Sequence, residues 1–356
     1  MDRIPAVTPR EAFAFGGETI APGHELLVRL PISRMSTGTP VAVPVRVIHG
    51  AADGPTVFVS AAIHGDEIIG TEIIRRLRKK LLARHVSGTI LLIPVVNIFG
   101  FLTHDRYLPD RRDLNRSFPG TSKGSLAAQL ANRFARDIIA RCTLGIDIHS
   151  AAADRYNLPQ IRIAGGDPHL LELAMAFGAP VVIEAELRSG SMREYARSKG
   201  VDMLLLEAGE ASRIDEFSVR VGLAGVMRVL AKLGIIADAD IPGTAAVSAR
   251  AKRSFWLRAP MGGVARLHRV SGAQITAGER LGMVGDVLGE KTLPLVSLCD
   301  GIIIGHANLP VVNQGDALLH IAEVEQYDSA DEAIAAISHS LMNDALLDED
   351  ELSSAS

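Results

Sequence analysis

The sequence contains few cysteines and few aromatic residues. Its only two cysteines are Cys142 and Cys299, so neither a disulfide framework nor a cysteine-based zinc site is available, and this usage fits a reducing cytoplasm. Aromatic residues make up 4% of the chain, which argues against broad base-stacking platforms. The net charge of −4 provides no basic surface for nucleic acid or for an anionic membrane.

Long hydrophobic runs are also missing. No apolar stretch reaches the roughly 20 residues that a membrane-spanning helix requires, and the first residues lack the apolar core of a signal peptide. We therefore expect a cytoplasmic protein with a small molecule, rather than nucleic acid or membrane, as its partner. Hydrophobic residues nevertheless form 47% of the 356 residues, enough for a large core and for a homo-oligomer.

Apolar runs alternate with segments of helical periodicity through much of the chain. "GPTVFVSAAI", "GTILLIPVVN" and "LGIDIHS" are typical of buried strands, and amphipathic helices separate or follow them. One of these helices, "SLAAQLANRFARDIIARC", is predicted to begin at Ser125. This alternation predicts an α/β fold with a mostly parallel or mixed sheet and flanking helices. Before it, residues 1–24 have an irregular pattern and residues 25–49 predict a pair of strands.

The pattern changes near residue 242, where a linker-like segment leads into short strands separated by glycine turns. We expect four parts: an N-terminal segment whose strands join the catalytic domain (1–50), the catalytic domain (51–242), a small C-terminal β domain (250–325) and an acidic tail (326–356). The tail is predicted to contain a helix followed by a solvated end. Two glycine-rich stretches inside the third part resemble each other, which suggests two related halves.

Three of the predicted strands end in polar residues. The first leads to His64 and Glu67, the third to His149, and a later strand to Glu207. Sites in open α/β sheets gather at the carboxyl ends of strands. Two histidines and a carboxylate match a catalytic zinc site that leaves one position for water, and Glu207 is then available as the general base. Each residue alone also has a structural explanation, such as a hydrogen-bonded strand end or a favourable first-turn glutamate.

A polar loop, "HDRYLPDRRDLNRSFPG", follows the second strand at residues 104–120. Arginine suits bidentate binding of a carboxylate, so this loop is a candidate for substrate binding. A solvated surface loop held by internal ion pairs is the alternative.

Four motifs in this order, "HGDE", "DLNRSFPG", "DIHS" and "EAGE", resemble the succinylglutamate desuccinylase/aspartoacylase family. The sequence of the polar loop resembles the predicted deacylase branch of that family. The resemblance covers roughly residues 40–325. It implies a zinc carboxypeptidase-like fold followed by a barrel-sandwich-like β domain. It does not identify the acyl group or the amine of the substrate.

The resemblance also implies roles for individual residues. His64, Glu67 and His149 would bind one zinc ion, and Glu207 would activate the zinc-bound water and later protonate the leaving amine. The remaining roles fall in the polar loop: Arg106 would stabilise the oxyanion, with Arg111 and Arg112 as competitors for that role, and the substrate carboxylate would be bound by Asn115 and Arg116, with Arg112 as a further candidate. Asp147, two residues before His149 on the same strand face, is a candidate partner for that ligand.

The resulting hypothesis is a zinc-dependent deacylase that hydrolyses the amide bond of a small N-acylated amino acid or amine. The alternatives are a metallocarboxypeptidase-like peptidase acting on short peptides and a non-catalytic metal- or ligand-binding protein. A lipoyl-type carrier would need a lysine at a hairpin tip beside methionine, and Lys291 lacks that neighbour.

Overall fold

A computed structural model of the chain describes residues 10–82, 85–238, 241, 248–324, 330–342, 344 and 347. Its helices are α1 (Ile69–Leu82), α2 (Ile98–Thr103), α3 (Leu126–Asp137), α4 (Pro168–Phe177), α5 (Met192–Ser198), α6 (Glu216–Lys232) and α7 (Ala330–Met342). Its first ten strands are β1 (Phe13–Phe15), β2 (Glu18–Ile20), β3 (His24–Arg34), β4 (Pro40–His49), β5 (Ala52–Ala61), β6 (Ser87–Ile93), β7 (Leu144–Ala151), β8 (Arg155–Ile163), β9 (Val181–Glu184) and β10 (Asp202–Glu210).

The remaining strands all lie in the C-terminal part of the chain. They are β11 (Ala249–Ala251), β12 (Arg253–Arg258), β13 (Gly263–Leu267), β14 (Gln274–Ile275), β15 (Arg280–Gly285), β16 (Thr292–Val296), β17 (Gly301–Ala307), β18 (Val311–Val312) and β19 (Ala317–Glu323).

Four parallel strands, in the order β6–β5–β7–β10, form the centre of a 13-stranded mixed sheet. β4 and β3 extend it antiparallel beyond β6, and β8 extends it antiparallel beyond β10. The carboxyl ends of β5, β7 and β10 therefore lie side by side. The predicted fold class is confirmed.

Helices cover both faces of the central sheet. On one face α1, α4 and α6 pack around a core that includes Ile73, Leu77, Ile146 and Leu206. On the other face α3 and α5 pack over a second core that contains Phe58 and Phe134. Both cores consist of apolar side chains removed from water, which is the main stabilising contribution to such a layered fold. They hold the strand ends of the site in fixed positions.

The C-terminal strands continue the same sheet. β17 pairs antiparallel with β8, and β19 and β12 follow outward from β17. A separate four-stranded sheet, in the order β16–β15–β13–β18, packs against them. Hydrogen bonds thus join the segments 51–242 and 250–325, and the proposed domain boundary between them remains a prediction.

The N-terminal segment differs from its expected irregular structure. Within the described part of residues 1–24, β1 and β2 form a short hairpin around Gly16 and Gly17, which both have positive φ. Three-residue strands are too short for a sequence periodicity to show, which explains the incorrect prediction. The strand pair expected at 25–49 is confirmed as β3 and β4.

Two further predictions concern the ends of helices and chain segments. Ser125 was predicted to open a helix, and its hydroxyl accepts a hydrogen bond from the Ala128 amide at the N-terminus of α3. The helix predicted in the acidic tail corresponds to α7. The rest of that tail and most of the predicted linker after residue 242 lie outside the described residues.

Within the described part of the chain, no helix is long and apolar enough to cross a membrane.

Candidate metal centre and its cavity

The loop between β5 and α1 carries the first two predicted ligands. Two of its backbone carbonyls accept hydrogen bonds from other segments: the Asn97 amide donates to the Ala62 carbonyl at 2.9 Å, and the Ser212 amide donates to the Asp66 carbonyl at 2.8 Å. A Cβ atom on Gly65 would lie 1.9 Å from the carbonyl carbon of Gly100. The loop therefore needs glycine at this position because the backbone of α2 passes directly against it.

His64, Glu67 and His149 meet at the carboxyl ends of β5 and β7. The Nδ1 atoms of His64 and His149 lie 2.7 Å and 2.8 Å from the two carboxylate oxygens of Glu67. The three side chains are buried, and one donor atom from each lies within 4.8 Å of the others. Glu67 precedes the first residue of α1, so its carboxylate is a loop group rather than part of a helical turn.

Both imidazole rings are oriented by carboxylates on the side away from Glu67. Asp113 lies 3.2 Å from Nε2 of His64, and Asp147 lies 2.8 Å from Nε2 of His149. The Ser60 hydroxyl donates to Asp147 at 2.7 Å, across the β5–β7 ladder. A carboxylate on the distal nitrogen fixes the ring and its tautomer, which is the usual support of a metal-ligating histidine.

The electrostatics of this group favour a cation. Burial opposes the charged forms of both imidazoles, but Asp147 and Glu67 raise the pKa of His149 well above its ordinary value, and Glu67 and Asp113 raise that of His64. Burial likewise opposes ionisation of Glu67, yet the two histidines hold its pKa well below the usual range. The side chains therefore stabilise positive charge in the space between them.

This donor set fits zinc. Two imidazole nitrogens and one carboxylate are the three protein ligands of several catalytic zinc sites, with the fourth position left for water or substrate. The distal carboxylates and the favourable potential supply the support that such a site requires. A divalent cation would take the place of the protons that these nitrogens otherwise share with Glu67.

Glu207 lies beside the donor group. In the parallel β7–β10 ladder Glu207 is the register partner of His149, so the two side chains leave the sheet on the same face. The register shifts directly after Glu207, where Gly209 adopts φ +72°, and such an irregularity re-aims neighbouring side chains. Asn157 donates to the Glu207 carboxylate at 2.9 Å, which fixes it in the cavity wall.

The arginines of the polar loop at residues 104–120 fall into two groups, one inside the cavity and one outside it. Arg106 reaches the donor group, with Nη1 3.1 Å from Glu67 and Nη2 3.0 Å from Asp113. Its pKa is raised: burial opposes the charge, but these two carboxylates outweigh it. Arg111 and Arg112 are exposed and do not line the cavity. The geometry thus favours Arg106 for the oxyanion role and gives no support for substrate binding by Arg112.

Asn115 and Arg116 line the same cavity. The side-chain oxygen of Asn115 accepts a hydrogen bond from the Met192 amide at the start of α5, and Arg116 donates to the Asn115 carbonyl. The two residues lie in a short 3-10 turn, in which the Asn115 amide donates to the Asp113 carboxylate. Asp113 therefore links the loop to His64, Arg106 and the backbone of the predicted substrate-binding residues.

The cavity has a volume of about 720 Å³ and extends beyond the predicted residues. Its far wall contains Arg162 and Arg193, together with Trp256 and His320 from the C-terminal strands. His320 is buried and stacks on Trp256 with 4.6 Å between ring centroids. No motif in the sequence indicates this wall, because its residues come from four separate elements.

The fold and the donor group together define an α/β protein with a candidate metal centre at the carboxyl ends of parallel strands. Residues 53–233 match the family model for the succinylglutamate desuccinylase/aspartoacylase catalytic domain. The chain therefore belongs to the succinylglutamate desuccinylase/aspartoacylase family, as the four motifs predicted.

Individual relatives agree with this assignment. An N-alpha-acetyl-L-2,4-diaminobutyric acid deacetylase from Halomonas elongata is 27% identical over 310 residues, which cover 83% of this chain and 90% of that protein. A solved succinylglutamate desuccinylase/aspartoacylase from Rhodobacter sphaeroides is 26% identical, with a TM-score of 0.75 over 89% of this chain and 97% of its own. The ectoine utilization protein EutE from Ruegeria pomeroyi, at 22% identity, shares the fold with the same TM-score over 89% of this chain and 98% of its own.

Proposed function

We propose that this protein is a zinc-dependent deacylase that hydrolyses the amide bond of a small N-acyl amino acid. Family membership and the deacetylase named among its relatives support the broader activity, an amide hydrolase acting on N-acyl amino acids. The observation that carries the proposal is the placement of Glu207 beside the His64–Glu67–His149 group in one cavity.

The donor group would hold the metal, which when bound supplies an electrophile that acidifies water and polarises the scissile carbonyl. Glu207 is the nearby carboxylate not engaged by either histidine, so it accepts a proton from the attacking water and returns it to the leaving amine. The hydrogen bond that Asn157 donates holds the Glu207 carboxylate in one orientation during this proton transfer.

Arg106 and Arg116 position the substrate in this proposal. Arg106, held by Glu67 and Asp113, provides a fixed positive charge where negative charge develops on the carbonyl oxygen. Arg116, beside Asn115, provides a guanidinium for the carboxylate of the amino acid. Trp256 and His320 from the C-terminal strands line part of the cavity, whose volume of about 720 Å³ is suited to a small substrate.

The test is the turnover of Glu207→Gln on a panel of N-acetyl amino acids. Loss of the proton acceptor should lower kcat by about 10²–10⁴-fold while the metal content stays unchanged. Glu210→Gln is the matched control, since Glu210 lies in the same strand and binds Asp154 and Asn308 outside the cavity. Equal turnover by Glu207→Gln and wild type would overturn the role of Glu207 as proton acceptor. Absence of turnover by the zinc-loaded wild type on the whole panel would favour the non-catalytic alternative. Activity on short peptides alone would favour the peptidase.

The cytoplasmic location and a homo-oligomeric state remain predictions from composition.

A further inference from the structure

Asn157 holds one of the two oxygens of the Glu207 carboxylate. Its side-chain Nδ2 donates to Oε2 at 2.9 Å, and Asn157 is itself buried, with 6% of its surface exposed. The other oxygen, Oε1, accepts no hydrogen bond from a described residue. A carboxylate only accepts hydrogen bonds, so the NH₂ end of the Asn157 amide faces Glu207 and the carbonyl end faces away. The amide therefore determines which carboxylate oxygen is available to take a proton.

The carbonyl end of the Asn157 amide lies against Gly305 on the C-terminal strand β17. Asn157 and Gly305 are register partners in the antiparallel β8–β17 ladder. A Cβ atom on Gly305 would lie 2.8 Å from Oδ1 of Asn157, which is too close for both atoms to keep their positions. The absence of a side chain at Gly305 thus leaves the space in which the Asn157 amide lies.

A second glycine beside Asn157 has a different environment. Gly209, on β10, is the register partner of Asn157 on the other side. A Cβ atom on Gly209 would meet the side chains of Ile69 at 3.1 Å and Ser218 at 3.4 Å, and Asn157 is not among its nearest neighbours. Of the two glycines, Gly305 is therefore the one that makes room for the amide.

The Asn157 side chain is the group that would yield to a methyl group at residue 305. Oδ1 is the end of a side chain that can rotate, whereas the Tyr156 carbonyl oxygen and Cβ of His320 lie farther away, both at 3.3 Å. Rotation of the amide would carry Nδ2 away from Glu207, because Oδ1 and Nδ2 belong to one planar group. A Gly305→Ala substitution should therefore disturb the Glu207 carboxylate more than it disturbs the fold.

We propose that Gly305 and Asn157 are positioning residues for Glu207. Gly305 leaves space for the Asn157 amide, and the amide fixes the carboxylate so that Oε1 takes the proton. This inference rests on the proposed function, in which Glu207 is the proton acceptor. It gives the C-terminal strands a part in the chemistry, since Gly305 belongs to β17. Misplacement of a catalytic group by about 1 Å can lower a rate by about 100-fold, so one added methyl group is enough to test the role.

The first test measures kcat, KM and zinc content of zinc-loaded, full-length variants on the N-acetyl amino acid that wild type hydrolyses fastest. Asn157→Leu keeps the branched shape without the donor and should lower kcat by about 10–100-fold, and Gly305→Ala should lower it by about tenfold. KM and zinc content should stay at wild-type values, because neither residue binds substrate or metal in this assignment. Tyr156→Phe is the control and should keep the wild-type kcat, since the Tyr156 hydroxyl donates to Asp215 at 3.2 Å outside the cavity. Wild-type kcat in Asn157→Leu would overturn the role of Asn157.

A double-mutant cycle separates positioning through Asn157 from a purely structural role of Gly305. In Asn157→Ala protein, a Cβ atom at residue 305 no longer meets Oδ1, whereas its contacts with Tyr156 and His320 remain. Adding Gly305→Ala to Asn157→Ala should therefore change kcat by less than about twofold, because the two substitutions act through one contact. Equal effects of Gly305→Ala in both backgrounds, or failure of the single variant to fold, would overturn the role of Gly305.

Crystal structures separate this inference from the proposed function. If zinc-loaded wild type hydrolyses no substrate, the deacylase proposal fails, but the geometry can still be measured without turnover. In Gly305→Ala crystals, Nδ2 of Asn157 should lie more than about 3.5 Å from the Glu207 carboxylate, beyond hydrogen-bonding distance. A hydrogen bond retained at the wild-type distance of 2.9 Å would overturn the inference at any level of activity.

Discussion

The two ends of the cavity handle buried charge in opposite ways. At the donor end, the two imidazoles and Arg106 are surrounded by the carboxylates of Glu67, Asp113 and Asp147, each at hydrogen-bonding distance. At the far end, Arg162 and Arg193 retain buried nitrogens without partners. The two regions meet at Glu207, which lies 3.9 Å from Nη1 of Arg162, and they differ in how completely their polar atoms are hydrogen-bonded.

The two ends of the cavity therefore carry opposite charge patterns. A cluster of carboxylates around imidazoles is completed by a cation, and a cluster of guanidinium groups is completed by an anion. At the donor end, Asp113 also accepts a hydrogen bond from the Asn115 amide, so it joins the side-chain network to the backbone. The second end keeps two guanidinium groups with buried nitrogens that have no hydrogen-bond partner among the described residues.

The largest effect is expected from the glycine that shapes the donor end. Gly65→Ala would place Cβ 1.9 Å from Gly100 and 2.2 Å from the Phe101 nitrogen, which are backbone atoms that cannot move aside cheaply. We expect the free energy of unfolding to fall by about 3 kcal/mol or more, measured by urea denaturation. Gly262→Ala is the control, since its Cβ would meet nothing closer than 3.6 Å, and it should change stability by about 0.5 kcal/mol or less. Equal effects of the two substitutions would contradict the close approach.

A smaller effect is expected when one distal carboxylate is neutralised. Asp147→Asn removes the charge behind His149 while nearly preserving shape, so zinc affinity should fall by about 10–100-fold in a competition with a chelating dye. Asp202→Asn, at the start of β10, is the matched control and should retain wild-type affinity. Unchanged affinity in Asp147→Asn would show that the ring needs no orienting carboxylate.

The smallest effect concerns the pH dependence of the far end. The folded pKa of His320 is lowered to about 3, below the unfolded value of about 6.5, so the unfolded state takes up the proton first and stability falls as pH drops below about 6.5. Between pH 7 and pH 5, wild type should lose about 1–2 kcal/mol more than His320→Gln does. Parallel stability curves for the two proteins would show that His320 remains accessible to protons in the fold.

The sequence predicted the donor end well because its residues are encoded locally. Each predicted ligand follows or ends a buried strand, and strand adjacency then brings His64, Glu67, His149 and Glu207 together. The alternation of strands and helices predicted a mostly parallel or mixed sheet, and the structure added the order of its strands. Local patterns also predicted the N-cap of α3 at Ser125.

The far wall was not predictable in the same way. Arg162, Arg193 and His320 lie on β8, α5 and β19, and they meet only because β17 adds the C-terminal strands to the edge of β8. No spacing in the sequence records that pairing. The choice of Arg106 over Arg112 also depended on the fold, since both lie in one polar loop and only tertiary contacts distinguish them.

The central claim is that the donor end holds a catalytic metal. The most direct measurement is the zinc content of purified protein after dialysis, by elemental analysis, for wild type, His149→Ala and the exposed-histidine control His24→Ala. We predict one zinc per chain in wild type and in His24→Ala, and loss of that zinc in His149→Ala. Absence of bound zinc from wild type even after zinc is added, or its retention in His149→Ala, would contradict this account.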